Sequence, residues 1–256
     1  MMNKIKIIHA PDSQKPFVII DKPAGLPSAP LNESDIENAF SQAAELFPQL
    51  LNVKGKKEIE HGLLHRLDTA TAGLMIIAAT QECYDFLQQE QKEGSIIKTY
   101  LAECGLSRNK AVDPELVEGQ LIKLTSYFRA YGPGRKEVRP VFPEDSETAL
   151  KKVEKKVLYT TNIKILKINK EENTALVECS ITNGYRHQVR SHLSWAGLPI
   201  INDPVYNPAI NKKSTEQMHF CASKIQFEYP RGDLNSYDRK DTWSRTKRVY
   251  QFRHPG

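Results

Sequence analysis

Apolar positions recur along this chain with two different periods, and the changes between them mark its elements. The run Leu74-Met75-Ile76-Ile77-Ala78-Ala79 is uninterrupted, as in a strand buried on both faces. Ile5–His9 and Phe17–Asp21 read as short strands separated by a turn containing Pro11 and Asp12. Ile96–Cys104 alternates and predicts another strand, and Leu158–Ile168 and Thr174–Thr182 predict a strand pair joined through Glu171-Glu172-Asn173. Helical spacing appears over Asp35–Phe47, where Ile36, Ala39, Phe40, Ala43 and Phe47 share a face. It returns over Gln81–Lys92, with Thr80 as cap and Cys83, Phe86 and Leu87 turned inward. A third helix is predicted over residues 185–196 after Gly184, with Arg186, Val189, Arg190 and Leu193 on one side. Pro23, Gly25, Pro27 and Pro30 impose a loop, and in residues 107–157 Pro, Gly and charge interrupt every period. Strands with helices irregularly interspersed predict an α+β fold and not a doubly wound sheet.

Composition narrows the class without naming an activity. The 256 residues suffice for one large domain or two small ones. Charged residues are 26% of the chain and the net charge is +5, which permits an anionic partner without demanding one. Cys83, Cys104, Cys179 and Cys221 are widely spaced with no CxxC, which predicts free thiols in a reducing compartment. The amino-terminal residues MMNKIKIIHAPDS lack the apolar run of a secretory signal, and no segment approaches the ~20 apolar residues of a membrane span. A cytoplasmic protein is expected. His61 and His65 stand four apart, but no Glu follows His61 and Gly62 weakens a helix there, so no metal site is expected.

Candidate chemistry concentrates in HGLLHRLDTATAGLMIIAAT, residues 61–80. One carboxylate, Asp68, follows His61, His65 and Arg66, with Thr69, Ala70, Thr71, Ala72 and Gly73 around it. Small neighbours allow close approach of another molecule. A lone acid in a cationic loop mounted on a rigid strand suits a nucleophile acting on an anionic substrate. The same residue could instead only cap a turn by bonding to nearby amides. Basic clusters stand at Arg135-Lys136 with Arg139, on a GPGRKEVRP loop, and from Arg231 to Arg253. In the second cluster, cations interleave with Tyr237, Trp243 and Tyr250 in a pattern that suits phosphates and unstacked bases as well as a solvated tail.

Five stretches, in order, resemble the RluA-type family of RNA pseudouridine synthases. They are Asp21-Lys22-Pro23-Ala24-Gly25; HRLDTATAGL around Asp68; Lys98-Thr99-Tyr100-Leu101-Ala102; GYRHQVRSHL from Gly184 to Leu193, followed by Gly197-Leu198-Pro199-Ile200 and Asp203-Pro204-Val205-Tyr206; and Cys221–Phe227 with Pro230. Two departures stand out: Tyr185, then Arg186, where the family often has Arg directly after the Gly, and Ala72 where Ser is common. The resemblance implies a mixed, largely antiparallel sheet with flanking helices, forming one catalytic domain over residues 1–256 with no separate amino-terminal RNA-binding domain. It implies isomerisation of uridine to pseudouridine in structured tRNA or rRNA, with no cofactor. Asp68 matches the catalytic aspartate, Arg190 the arginine that keeps it charged, and Tyr100 the tyrosine set against the base. Arg66, Lys98, Arg186 and Leu193 are expected to bind substrate. A monomer is expected, with no membrane and no metal. The competing expectation is a non-catalytic RNA-binding or chaperone protein that kept the fold.

Overall fold

The computed structural model describes residues 4–107, 116–209 and 216–239. The chain divides into two compact units, parting at Lys98/Thr99 and again at Phe220/Cys221.

In the first unit, β1 (Lys6–His9) and β2 (Phe17–Lys22) precede α1 (Ala39–Leu46), then come β3 (Ala72–Ala78) and α2 (Gln81–Glu93). The next strand, β4 (Ile97–Gly105), starts where this unit ends. Every residue of β2 and β3 is buried, as the apolar run predicts. The two strands pair antiparallel, Phe17 with Ala78 through Lys22 with Gly73. Thr80 caps α2 by accepting from the Cys83 amide, and Gly94 closes it in the left-handed conformation. The helix over Asp35–Phe47 begins four residues later than the spacing suggests. Asn38, whose side chain accepts from the Ser41 amide, is its true cap, and Ile36 is left outside and exposed.

The second unit continues β4 with β5 (Leu121–Tyr131), β6 (Glu137–Val141), α3 (Glu147–Leu150), β7 (Tyr159–Asn169), β8 (Thr174–Ile181) and α4 (Gln188–Trp195). Its strand order is β4-β8-β7-β5-β6. The expected β7–β8 pair is present and antiparallel, Asn162 with Ser180 through Asn169 with Thr174. The illegible stretch contains the β5–β6 hairpin, so GPGRKEVRP is the turn and outgoing strand of a hairpin and not a free loop. Helix α4 starts at Gln188, three residues later than expected, because His187 adopts a left-handed backbone (φ 56°). Arg186 therefore lies off the helix that carries Val189, Arg190 and Leu193.

The chain then returns to the first unit with β9 (Phe220–Glu228) and β10 (Leu234–Asp238). β9 runs parallel to β3, Ala72 beside Cys221 and Gly73 beside Ala222, and β10 is antiparallel to β9. A Cβ at Gly73, where φ is +130°, would come within 2.3 Å of the Ala222 carbonyl oxygen, so only glycine lets these strands meet. The basic stretch from Arg231 thus opens as a strand, with Tyr237 packed against Phe17 and Phe227; its part beyond Arg239 lies outside the described residues. The four cysteines are free and buried. Both units are α+β; β1–β2, β2–β3, β9–β10, β5–β6, β5–β7 and β7–β8 are antiparallel and β3–β9 is parallel.

Candidate active site

Asp68 sits half-buried on a turn closed by the Thr71 amide donating to its main-chain carbonyl at 2.9 Å. The residues before it are tied to β3: the Leu64 amide donates to the Ile76 carbonyl, and the Ile76 amide donates to His65 Nε2. That bond makes the His65 ring an acceptor at Nε2. Burial, followed by the nearby Lys98 charge, holds its pKa well below the ordinary value. The proline-rich loop after β2 clamps the turn from the other side. Ser28 Oγ donates to the Leu67 carbonyl at 2.7 Å and accepts from the Leu67 amide at 3.0 Å, while the Gly25 amide donates to the Thr69 carbonyl.

Beneath the turn lies Lys22, with none of its surface exposed. Its ammonium donates to the carbonyls of Leu26 (2.7 Å), Pro23 (3.0 Å) and Thr69 (3.3 Å), one from the turn and two from the clamping loop. Burial lowers its pKa to about 8, against the opposing pull of the Asp68 and Asp21 carboxylates. Lys22 is thus the buried cation of the Asp68 turn. The sequence shows its motif but not this role, because only burial distinguishes Lys22 from a surface lysine. Asp21 beside it accepts from Arg239 Nε, with both carboxylate oxygens at 2.8 Å.

The other expected residues of the first unit occupy different surroundings. Lys98 is buried and donates to Gln91 Oε1, while Gln91 Nε2 donates to the Leu64 carbonyl, so Lys98 braces the base of the same loop. Burial brings its pKa to about 8. Arg66 is exposed and pairs with Glu60 at 3.1 Å.

In the second unit Tyr100 is buried on β4 and stacks on Phe220, ring centroids 5.2 Å apart and nearly parallel. Arg190, on α4 and 3% exposed, forms a fork with Asp203: Nε to Oδ2 and Nη2 to Oδ1, both 2.8 Å. Two of its five N–H donors are accounted for by this pair. Asp203 also accepts from the Val205 and Tyr206 amides, and these bonds with Arg190 outweigh burial to hold its carboxyl below the usual range. Asp203 is the second residue sequence reasoning left without a role.

A polar lattice fixes α4 in the same unit. His192, fully buried, is bonded at Nε2 to Ser126 Oγ (2.9 Å) and at Nδ1 to Thr161 Oγ1 (2.8 Å), and burial lowers its pKa to about 3. Ser191 Oγ donates to the Val138 carbonyl, and the Val138 amide donates to the Tyr206 hydroxyl. Leu193 is fully buried in the packing of α4. Arg186 is exposed and donates to the carbonyls of Arg135 and Glu137 at the hairpin turn. Tyr185, the departure from the family pattern, stacks on Phe128 at 5.0 Å and donates to Glu154.

The half-buried acid thus sits on a turn braced by a buried ammonium within an α+β fold. A solved human protein, RNA pseudouridylate synthase domain containing 1, shares the fold, with a TM-score of 0.65 over 94% of this chain and 85% of that one at 17% identity. The family described as RNA pseudouridylate synthase matches residues 16–195, and the chain belongs to it. It is 29% identical over 211 residues to ribosomal large subunit pseudouridine synthase D of Nitrosomonas europaea, covering 82% of this chain and 52% of that protein. It is 25% identical over 203 residues to the mitochondrial tRNA pseudouridine(32) synthase of Saccharomyces cerevisiae, covering 79% and 37%. The chain spans 46–62% of the length of the curated relatives it matches first. Among the described residues no helix is long and apolar enough to cross a membrane.

Proposed function

We propose that this protein converts uridine to pseudouridine in structured RNA, ribosomal or transfer. The carrying observation is the Asp68 turn, locked by Lys22 and Ser28 within the span that the family matches. The reaction breaks the bond from ribose C1′ to uracil N1, forms one from C1′ to C5, and removes the C5 proton. The product is an isomer, so the chemistry calls for no redox partner and no cofactor. It calls for a held acid, a confined base and a route for one proton.

Asp68 is the proposed catalytic carboxylate; attack on the ribose, attack on the base and abstraction of a sugar proton are all open to it. Tyr100 is the proposed aromatic partner of the base, its ring oriented by Phe220. Arg190, its fork fixed by Asp203, is the proposed cation of the reaction site. The target uridine must leave its stack to be reached, as for other base-modifying enzymes.

RNA carrying tritium at uracil C5 tests the reading. Turnover must release the label to water while leaving RNA mass unchanged. Binding without release from any cellular RNA would overturn the assignment in favour of a binding protein. Release of free uracil would make the protein a hydrolase.

A further inference from the structure

The β5–β6 hairpin carries an arrangement that folding alone does not call for. Arg129 and Arg139 stand directly opposite one another in the antiparallel register, so both leave the same face of the sheet. Like charges directly opposite are unfavourable in a strand pair. Tyr131, two residues along β5, shares that face. The guanidinium carbon of Arg139 lies 3.3 Å from its ring centroid and that of Arg129 lies 5.2 Å away. The ring thus steadies both cations by their attraction to its π-face. This face is opposite the one that packs on α4, where Ser126 and Phe128 meet His192. It remains open: Tyr131 is 37% exposed and the Arg139 side chain 49%.

Charge around the turn is one-sided. Among the described residues, the carboxylates paired with the cluster of Arg129, Arg135, Lys136, Arg139 and Arg186 are Glu137 and Glu154, and Glu154 is engaged by Arg135 and Tyr185. Glu137 reaches Arg139 only at 3.8 Å. Arg186 donates to the Arg135 and Glu137 carbonyls and so fixes the turn in place.

We propose that the Arg129–Tyr131–Arg139 face is an RNA contact, a refinement that rests on the RNA-modifying reading above. The Arg139 guanidinium, laid over Tyr131, offers its outer plane to an unstacked base, and Arg129 takes an adjacent phosphate. An acidic protein partner would use the charges equally well but would gain nothing from a guanidinium held over a ring. Stacking on arginine planes and aromatic rings is how proteins hold single-stranded bases.

The test is anisotropy titration of the full chain with a fluorescein-labelled 20-nucleotide single-stranded RNA, repeated from 50 to 200 mM salt. Arg139→Lys keeps the charge and loses the plane, so affinity should fall roughly 5- to 150-fold while the salt slope holds. Arg129→Gln should lower the slope of log K against log salt by about 0.7. Affinities and slopes matching the parent's in both variants would overturn the contact. A measurement that needs no variant is crosslinking with 4-thiouridine RNA. Adducts on residues 121–141 support the face, and adducts confined to other segments overturn it. Tritium release separates the two readings: label released with the hairpin variants binding normally removes the contact but not the isomerase. Hairpin-dependent binding without release removes the isomerase but not the contact.

Discussion

At the Asp68 turn of the first unit side chains hold backbone; around Arg190 and His192 of the second, side chains hold one another. Lys22 secures the Asp68 turn by donating to three main-chain carbonyls, whereas Arg190 is set by Asp203, and His192 of α4 by Ser126 and Thr161. The backbone scheme fixes where a short loop lies and leaves its small side chains clear. The side-chain scheme fixes one guanidinium rigidly and makes the fold depend on every partner. Damage should therefore show as lost turnover in the first unit and as lost stability in the second.

The largest effect expected is on Asp68. Asp68→Asn should reduce tritium release by at least about 10²–10⁴-fold, with RNA affinity and thermal unfolding near the parent's. Near-normal turnover would remove it from the chemistry. The next pair tests the comparison directly. Asp203→Ala strands a buried guanidinium and should cost about 3–5 kcal/mol in urea unfolding. Lys22→Met removes a buried charge along with its bonds, so stability should move by only about 1–2 kcal/mol while turnover falls at least about tenfold. Equal losses of stability would erase the distinction.

How much of this was readable in the chain follows physical lines. Strands β2 and β3 and helix α2 were legible because each is buried along a single period and α2 carries its own cap. The hairpin was not: β5 alternates with lysine and arginine on its open face, and β6 holds Pro140 in a strand at the end of the sheet order, where a missing donor is tolerated. The late starts of α1 and α4 come from Asn38 and His187, whose cap and backbone geometry periodicity does not encode. Lys22 and Asp203 lie inside the Asp21–Gly25 and Asp203–Tyr206 motifs, yet their roles depend on what surrounds them.

Acidity and alkalinity sharpen the comparison further. His192 has a folded pKa near 3 against the ordinary 6.5, so the folded state binds fewer protons between those values. Its stabilising contribution is whole above pH 6.5 and is lost as pH falls, on the order of 2 kcal/mol by pH 5. Urea midpoints at pH 7 and 5 should show that drop in the parent and less of it in His192→Gln. Lys22 and Lys98, with folded values near 8 against the ordinary 10.5, carry the same sign in a higher pH window. Their cost to the fold is full below pH 8 and relieved as pH climbs toward 10.5, so their part of stability should rise there while turnover declines. Turnover unchanged to pH 10 would show that the charge on Lys22 is not needed. The smallest effect belongs to Arg66, whose exposed pair with Glu60 should be worth at most about 1 kcal/mol on removal by Arg66→Gln.

The parallel join of β3 to β9 also sets a schedule for synthesis. The strand that carries the Asp68 turn is complete by residue 78, yet its neighbour arrives only with residue 220. A ribosome must therefore deliver residues 79–219 before the first unit can close its sheet. Until then the Ala72–Gly73 end of β3, beyond the part that Gly62–His65 covers, is a nascent edge without its mate, and the emerging chain has reason to keep it from strangers.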